Sequence, residues 1–173
     1  DAALFARVDG VYRQREQLGL DPESAQLLDR YEKMFVRAGA RLSAANKQTL
    51  KKINQELSLL MTRFRQSVLK ASKDGAVVVD DVKQLDGLSL QQIGATAEAA
   101  KARGLAGKWV ITLENTTIQP PLAQIKSRAL RERVFLASVA RGNGGAQDTT
   151  GVVAKIAELR AKKAALFGCT DYA

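Results

Sequence analysis

Apolar residues recur at intervals of three and four along most of this chain, and short glycine-containing breaks separate the runs. Leu4, Val8, Val11, Tyr12 and Leu18 put an apolar stripe on a first helix from Ala2 to about Leu18, weakened by Gly10 and closed by Gly19. Asp21-Pro22-Glu23 is a start signal for a second helix: an N-cap, a proline in the first turn, and an acid at the positive helix end. Leu27, Leu28, Tyr31, Met34 and Phe35 follow on one side, and Gly39 stops the run. Ser43 caps the longest helix, to about Ala71, with Leu50, Ile53, Leu57, Leu60, Phe64 and Val68 opposite Lys51, Lys52, Gln55, Glu56, Arg63 and Gln66. The short connection before it predicts that the second and third helices pack as an antiparallel hairpin. The apolar stripe from Leu50 to Phe64 is long enough that part of it is expected to stay exposed, which would favour self-association.

Beyond Lys73-Asp74-Gly75 the period changes. Ala76 to Val79 and Lys108 to Leu113 read as short strands, compatible with a small parallel pair, with a helix between them. That helix opens at Ser89, in capping-box spacing with Gln92, and closes at Gly104. Pro120-Pro121 is read as the start of a basic helix to about Ala140. A glycine-rich loop, 141–145, precedes a last helix capped by Asp148 or Thr149 and ending near Phe167-Gly168. The expected fold class is mainly α: an elongated helical bundle of about six helices with at most one small two-stranded β element. No linker composition breaks the chain, so residues 1–173 read as a single helical unit.

Composition narrows the function more than the fold. No apolar run approaches the roughly 20 residues that a membrane span needs, so no membrane partner is expected. A formal charge of +9 suggests nucleic acid, but Glu16, Glu23, Glu32, Glu56, Glu98, Glu132 and Glu158 interrupt the positive residues as on solvated helix faces. No basic stretch carries the aromatics that stack on bases, and no nucleic-acid partner is expected. There is no histidine, and Cys169 is the one cysteine, which excludes a Cys-His nucleophile and an internal disulfide framework.

The remaining candidates for chemistry have plainer readings. Asp80-Asp81 lacks the spaced oxygen ligands of a hard-cation loop and reads as solvated or capping acids. Gly142-Asn143-Gly144-Gly145 could offer amides to an anion, but it has no phosphate-loop lysine and reads as a helix–helix connection. Arg128, Arg131 and Arg133, with Glu132 among them, read as surface or interdomain ion-pair residues. Trp109 reads as core rather than as a platform for a ligand. No catalytic constellation emerges from these residues.

A resemblance adds what they do not. Asn115-Thr116-Thr117-Ile118-Gln119-Pro120-Pro121-Leu122, followed by Arg131-Glu132, resembles the peptidyl-dipeptidases (dipeptidyl carboxypeptidases) of the thimet-oligopeptidase family of zinc metallopeptidases. Phe5-Ala6-Arg7-Val8, Phe35-Val36-Arg37-Ala38-Gly39-Ala40, Ile53-Asn54-Gln55-Glu56-Leu57 and Leu166-Phe167-Gly168 extend it, in order, over nearly the whole chain. The family binds zinc through a His-Glu-x-x-His helix, which a chain without histidine cannot contain. The resemblance therefore implies a fragment from the region N-terminal to the zinc-binding domain, inactive by itself and forming part of the wall of a substrate channel. It implies no catalytic residue and no metal ligand in this chain, and leaves the substrate-binding residues unknown. For the parent it implies metal-assisted removal of C-terminal dipeptides from oligopeptides, with zinc as cofactor. The implied partners are the C-terminal zinc-binding part of the polypeptide and the oligopeptide substrate; the cytoplasm is the expected compartment, with the periplasm as alternative. The competing readings are a free-standing helical interaction module and a basic nucleic-acid-binding domain.

Overall fold

The computed structural model describes residues 1–172, and among them helix dominates. Seven α-helices run in the order α1 (Ala2–Arg13), α2 (Pro22–Arg37), α3 (Ala44–Asp74), α4 (Leu90–Lys101), α5 (Asn115–Gln124), α6 (Arg128–Val139) and α7 (Thr150–Leu166). Two strands, β1 (Val77–Val79) and β2 (Trp109–Ile111), flank α4, and short 3-10 turns cover Val82–Leu85 and Gly145–Gln147. The mainly helical class with one small two-stranded element holds. The strands, however, are antiparallel, with Val77 opposite Ile111 and Val79 opposite Trp109.

The described residues form two compact units, Asp1–Leu59 with the chain from Ile156, and Leu60–Lys155. The divisions fall inside α3 and α7, so no loop or linker composition marks them.

In the first unit the close helix pair is α1 with α2, and not the α2–α3 hairpin expected from loop length. Phe5 and Phe35 meet with ring centroids 5.7 Å apart. Asp21 accepts from the amides of Glu23 and Ser24, the N-cap that the sequence announced, with Pro22 in the first turn. α1 stops at Arg13, five residues before the expected end. Its helical ladder gives way to tighter bonds from the Gln14 and Arg15 amides to the carbonyls of Val11 and Tyr12. Leu50, Ile53 and Leu57 on α3 are buried, whereas Leu60 and Phe64, at the other end of the stripe, are only half-buried.

The second unit holds the deeper core. Val77, Val79, Leu85, Ile111, Leu113, Ile118, Ile125, Leu130 and Val134 form one cluster, and Trp109 packs on its edge as a core residue. Each large side chain in such a cluster contributes about 1.5–3 kcal/mol relative to exposure. Pro120 and Pro121 do not begin a helix. They are the sixth and seventh residues of α5, which starts at Asn115, and a second helix, α6, follows after Ser127 caps it. Interior prolines bring no N–H, so the usual helix donors to the Thr116 and Thr117 carbonyls are missing. The burial of Ile118 and Pro121 against the core offsets that loss.

Candidate functional site

The junction from β2 into α5 is built from local bonds. The Thr112 hydroxyl donates to the Thr117 hydroxyl at 2.7 Å, and Thr117 Oγ1 lies 3.1 and 3.2 Å from the carbonyl oxygens of Thr112 and Glu114. Glu114 occupies the N-cap position without a side-chain cap bond. The Thr117 and Ile118 amides bond back to its carbonyl. The two preceding amides, on Asn115 and Thr116, are left at the open end of the helix, as first-turn donors are when no cap takes them.

This end of α5 lines a cleft of about 660 Å³ within the second unit. The wall opposite comes from α3, including Arg65 and Lys73. Arg103, just past α4, and Arg141, just past α6, complete the basic lining, and Glu114 is the one acid. Arg141 is fixed: it donates to the Leu113 carbonyl, to the Ser138 carbonyl at 2.9 Å and to the Ser138 hydroxyl at 3.3 Å. Arg103 donates to the Ala99 carbonyl at 3.1 Å, at the end of α4. Arg65 and Lys73 are exposed and make no hydrogen bond or ion pair among the described residues.

The residues that stood out in the sequence lie elsewhere. Asp80 pairs with Lys108 at 2.7 Å, and that ammonium holds its carboxyl below the ordinary value. Asp81 accepts from the Lys83 amide and caps the short turn at Val82. Arg131 and Arg133 were expected to form ion pairs; they donate instead to backbone carbonyls, Arg131 to Ile125 and Lys126 and Arg133 to Val78 at 3.0 Å. Arg128 and Glu132 are exposed on the same helix. The Gly142 carbonyl accepts from the buried Thr149 hydroxyl, and Asp148 caps α7 through the Thr150 amide at 2.8 Å. That loop is tied by its own bonds. Cys169 is exposed.

A charged cluster in the first unit was not foreseen. Asp9 on α1 and Glu32 on α2 are both buried, and Arg41 reaches both, at 2.9 and 2.8 Å. Arg13 adds a second cation to Asp9 at 2.7 Å. Glu32 Oε1 is close enough to Arg41 for an ion pair but is not aligned for a hydrogen bond. The Arg41 bond, before the other causes, holds the Asp9 carboxyl below its ordinary value. The cluster balances two carboxylates against two guanidiniums and serves the packing of α1 on α2.

Neither cluster fits zinc. Zinc sites draw on imidazole and thiolate with carboxylate, and the chain has no histidine and one exposed cysteine. Among the described residues no group of three or more such side chains is placed to hold a metal ion. No helix among them is long and apolar enough to cross a membrane.

Comparison with known proteins supplies the class. No protein-family profile matches the chain. A dipeptidyl carboxypeptidase of Escherichia coli is 46% identical over 98% of this chain and 25% of its own length. A dipeptidyl carboxypeptidase of Salmonella typhimurium is 46% identical over 100% of the chain and 26% of its own. The organellar oligopeptidase A of Arabidopsis thaliana is 34% identical over 86% of the chain and 20% of its own. The chain is homologous along its length to a stretch of these peptidases and belongs to their family. It spans about a quarter of the length of the curated relatives it matches.

Proposed function

We propose that this chain is a non-catalytic helical part of a zinc peptidyl-dipeptidase whose full polypeptide removes dipeptides from the C-terminus of oligopeptides. The observation that carries this reading is the gap in identity: 46% with two dipeptidyl carboxypeptidases against 34% with an oligopeptidase A. The zinc ligands, the zinc and the reacting groups are assigned to polypeptide beyond these residues, because the donors present here do not suit zinc. The part played by this chain is to shape the peptide channel together with the remaining polypeptide, its main partner. Exposed apolar residues on α2 (Leu27, Tyr31, Met34) and on α6 (Phe135, Leu136, Val139) support such a partner, since faces of this kind usually meet another surface.

One experiment with three arms tests the reading. The full-length protein is incubated with a free-acid peptide and with its C-terminal amide, and the 173-residue chain alone is incubated with the free acid. Dipeptide release from the free acid only, with none from the isolated chain and no zinc retained by it after dialysis, is expected. Equal cleavage of acid and amide, or internal cuts, would move the parent to an endo-acting oligopeptidase. Chelator-sensitive cleavage by the isolated chain would overturn the non-catalytic assignment.

A further inference from the structure

The cleft at the start of α5 carries a chemistry that the peptidase reading does not use. Its lining presents four cations, Arg65, Lys73, Arg103 and Arg141, against the single carboxylate of Glu114, a net charge of +3. The cations converge from separate elements: the C-terminal half of α3 and the segments just beyond α4 and α6. Two of the four, Arg65 and Lys73, have no partner among the described residues. Arg141 spends three N–H donors on Leu113 and Ser138, and Arg103 spends one on Ala99, so both guanidiniums keep donors to spare. A surface salt-bridge network would have paired these charges; here one acid stands among four. The Asn115 and Thr116 amides add fixed donors at the positive end of a ten-residue helix, and the threonine bonds hold that end in place.

We propose that this cleft binds a small phosphate-bearing anion. The donors approach one volume from several sides, which matches the tetrahedrally spread oxygens of a phosphate better than the flat pair of a carboxylate. The charge matches as well, since a phosphate group carries about two negative charges at neutral pH. Guanidinium groups bind phosphate oxygens through paired, charge-assisted bonds, and the flexible Arg65 and Lys73 can close over the ligand once Arg141 and the helix end have located it. A volume of about 660 Å³ leaves room for an organic group attached to the phosphate. The inference is independent of the peptidase reading, and failure of either leaves the other standing.

Titration of the isotope-labelled chain with inorganic phosphate and with pyrophosphate, followed by amide resonances, tests it. Saturable shifts centred on Asn115 and Thr116 are expected, stronger for pyrophosphate. Arg65→Ala with Lys73→Ala removes two cations that support nothing else in the fold, and should weaken binding about tenfold. Lys47→Ala with Lys51→Ala makes the same charge change in the first unit and should leave binding as it was. The absence of saturable shifts, or equal weakening by both double variants, would show only diffuse attraction to a basic chain and overturn the site. Equally tight saturation by acetyl-alanyl-alanine would overturn the phosphate assignment in favour of a carboxylate.

Discussion

At the scale of single residues, the sequence reveals bonds that close over a few positions and hides those that close over many. Asp21 as a cap, Ser89 with Gln92 as a capping box, and Trp109 as a core residue were all legible, because each depends on immediate neighbours or on strand pattern. Asp9 and Arg41 are 32 positions apart, and no local rule joins them. Their contact makes a pH prediction. The Arg41 bond depresses the Asp9 pKa below its unfolded value of 3.8, so the stability it contributes is present above that value and lost as pH falls through the folded one. Asp9→Asn should therefore lower the denaturation midpoint at neutral pH, with the gap to the unaltered chain narrowing as the pH falls below 3.8. Urea titrations across that range decide it: a gap that stays constant would mean that the carboxylate charge is not what Arg41 reads.

At the scale of elements, the helix boundaries set by caps were readable and those set by tertiary packing were not. Two prolines suggested a beginning, yet α5 starts five residues earlier, where Thr112 and Thr117 close the turn out of β2. The apolar run of β1 and β2 was visible, but direction belongs to the pairing, and that pairing is antiparallel. The cationic cleft escaped for the same reason: its arginines, at 65, 103 and 141, come from three elements and have no spacing in common. One loop shows how strongly packing constrains such junctions. Gly87, with φ of +105°, lies so near the end of α5 that an added Cβ would stand 1.9 Å from the Gln124 carbonyl oxygen. Gly87→Ala should cost about 2–4 kcal/mol, since both the backbone and the neighbouring helix end must move. Gly94 lies inside α4 with open space around it, and Gly94→Ala should instead stabilise by about 0.5–1 kcal/mol. Thermal or urea unfolding of both variants separates the two effects, and similar shifts for both would refute the steric account.

At the scale of the molecule, burial is unevenly shared between the α1–α2 pair and the core of the second unit, and stability should be shared in the same way. The core of the second unit includes Leu85, Leu113 and Val134 at zero exposure, drawn from a 3-10 turn, the segment between β2 and α5, and α6. In the first unit, α1 buries only Asp9 and α2 only Glu32. Their large apolar side chains, among them Leu4, Val11, Leu27, Tyr31 and Met34, are about half exposed. A helix pair that buries charges more fully than hydrocarbon gains little from the hydrophobic effect and depends on a few ion pairs that salt and acid weaken. Amide exchange rates follow local opening, and segments with few buried apolar contacts open at far lower cost than the whole fold. In the isolated chain, the α1 and α2 amides should exchange well before those of Val79, Ile111 and Leu113, and added salt should widen the difference. Uniform protection through both groups would show that α1 and α2 unfold only with the rest, and that their charged contacts hold them as firmly as a core.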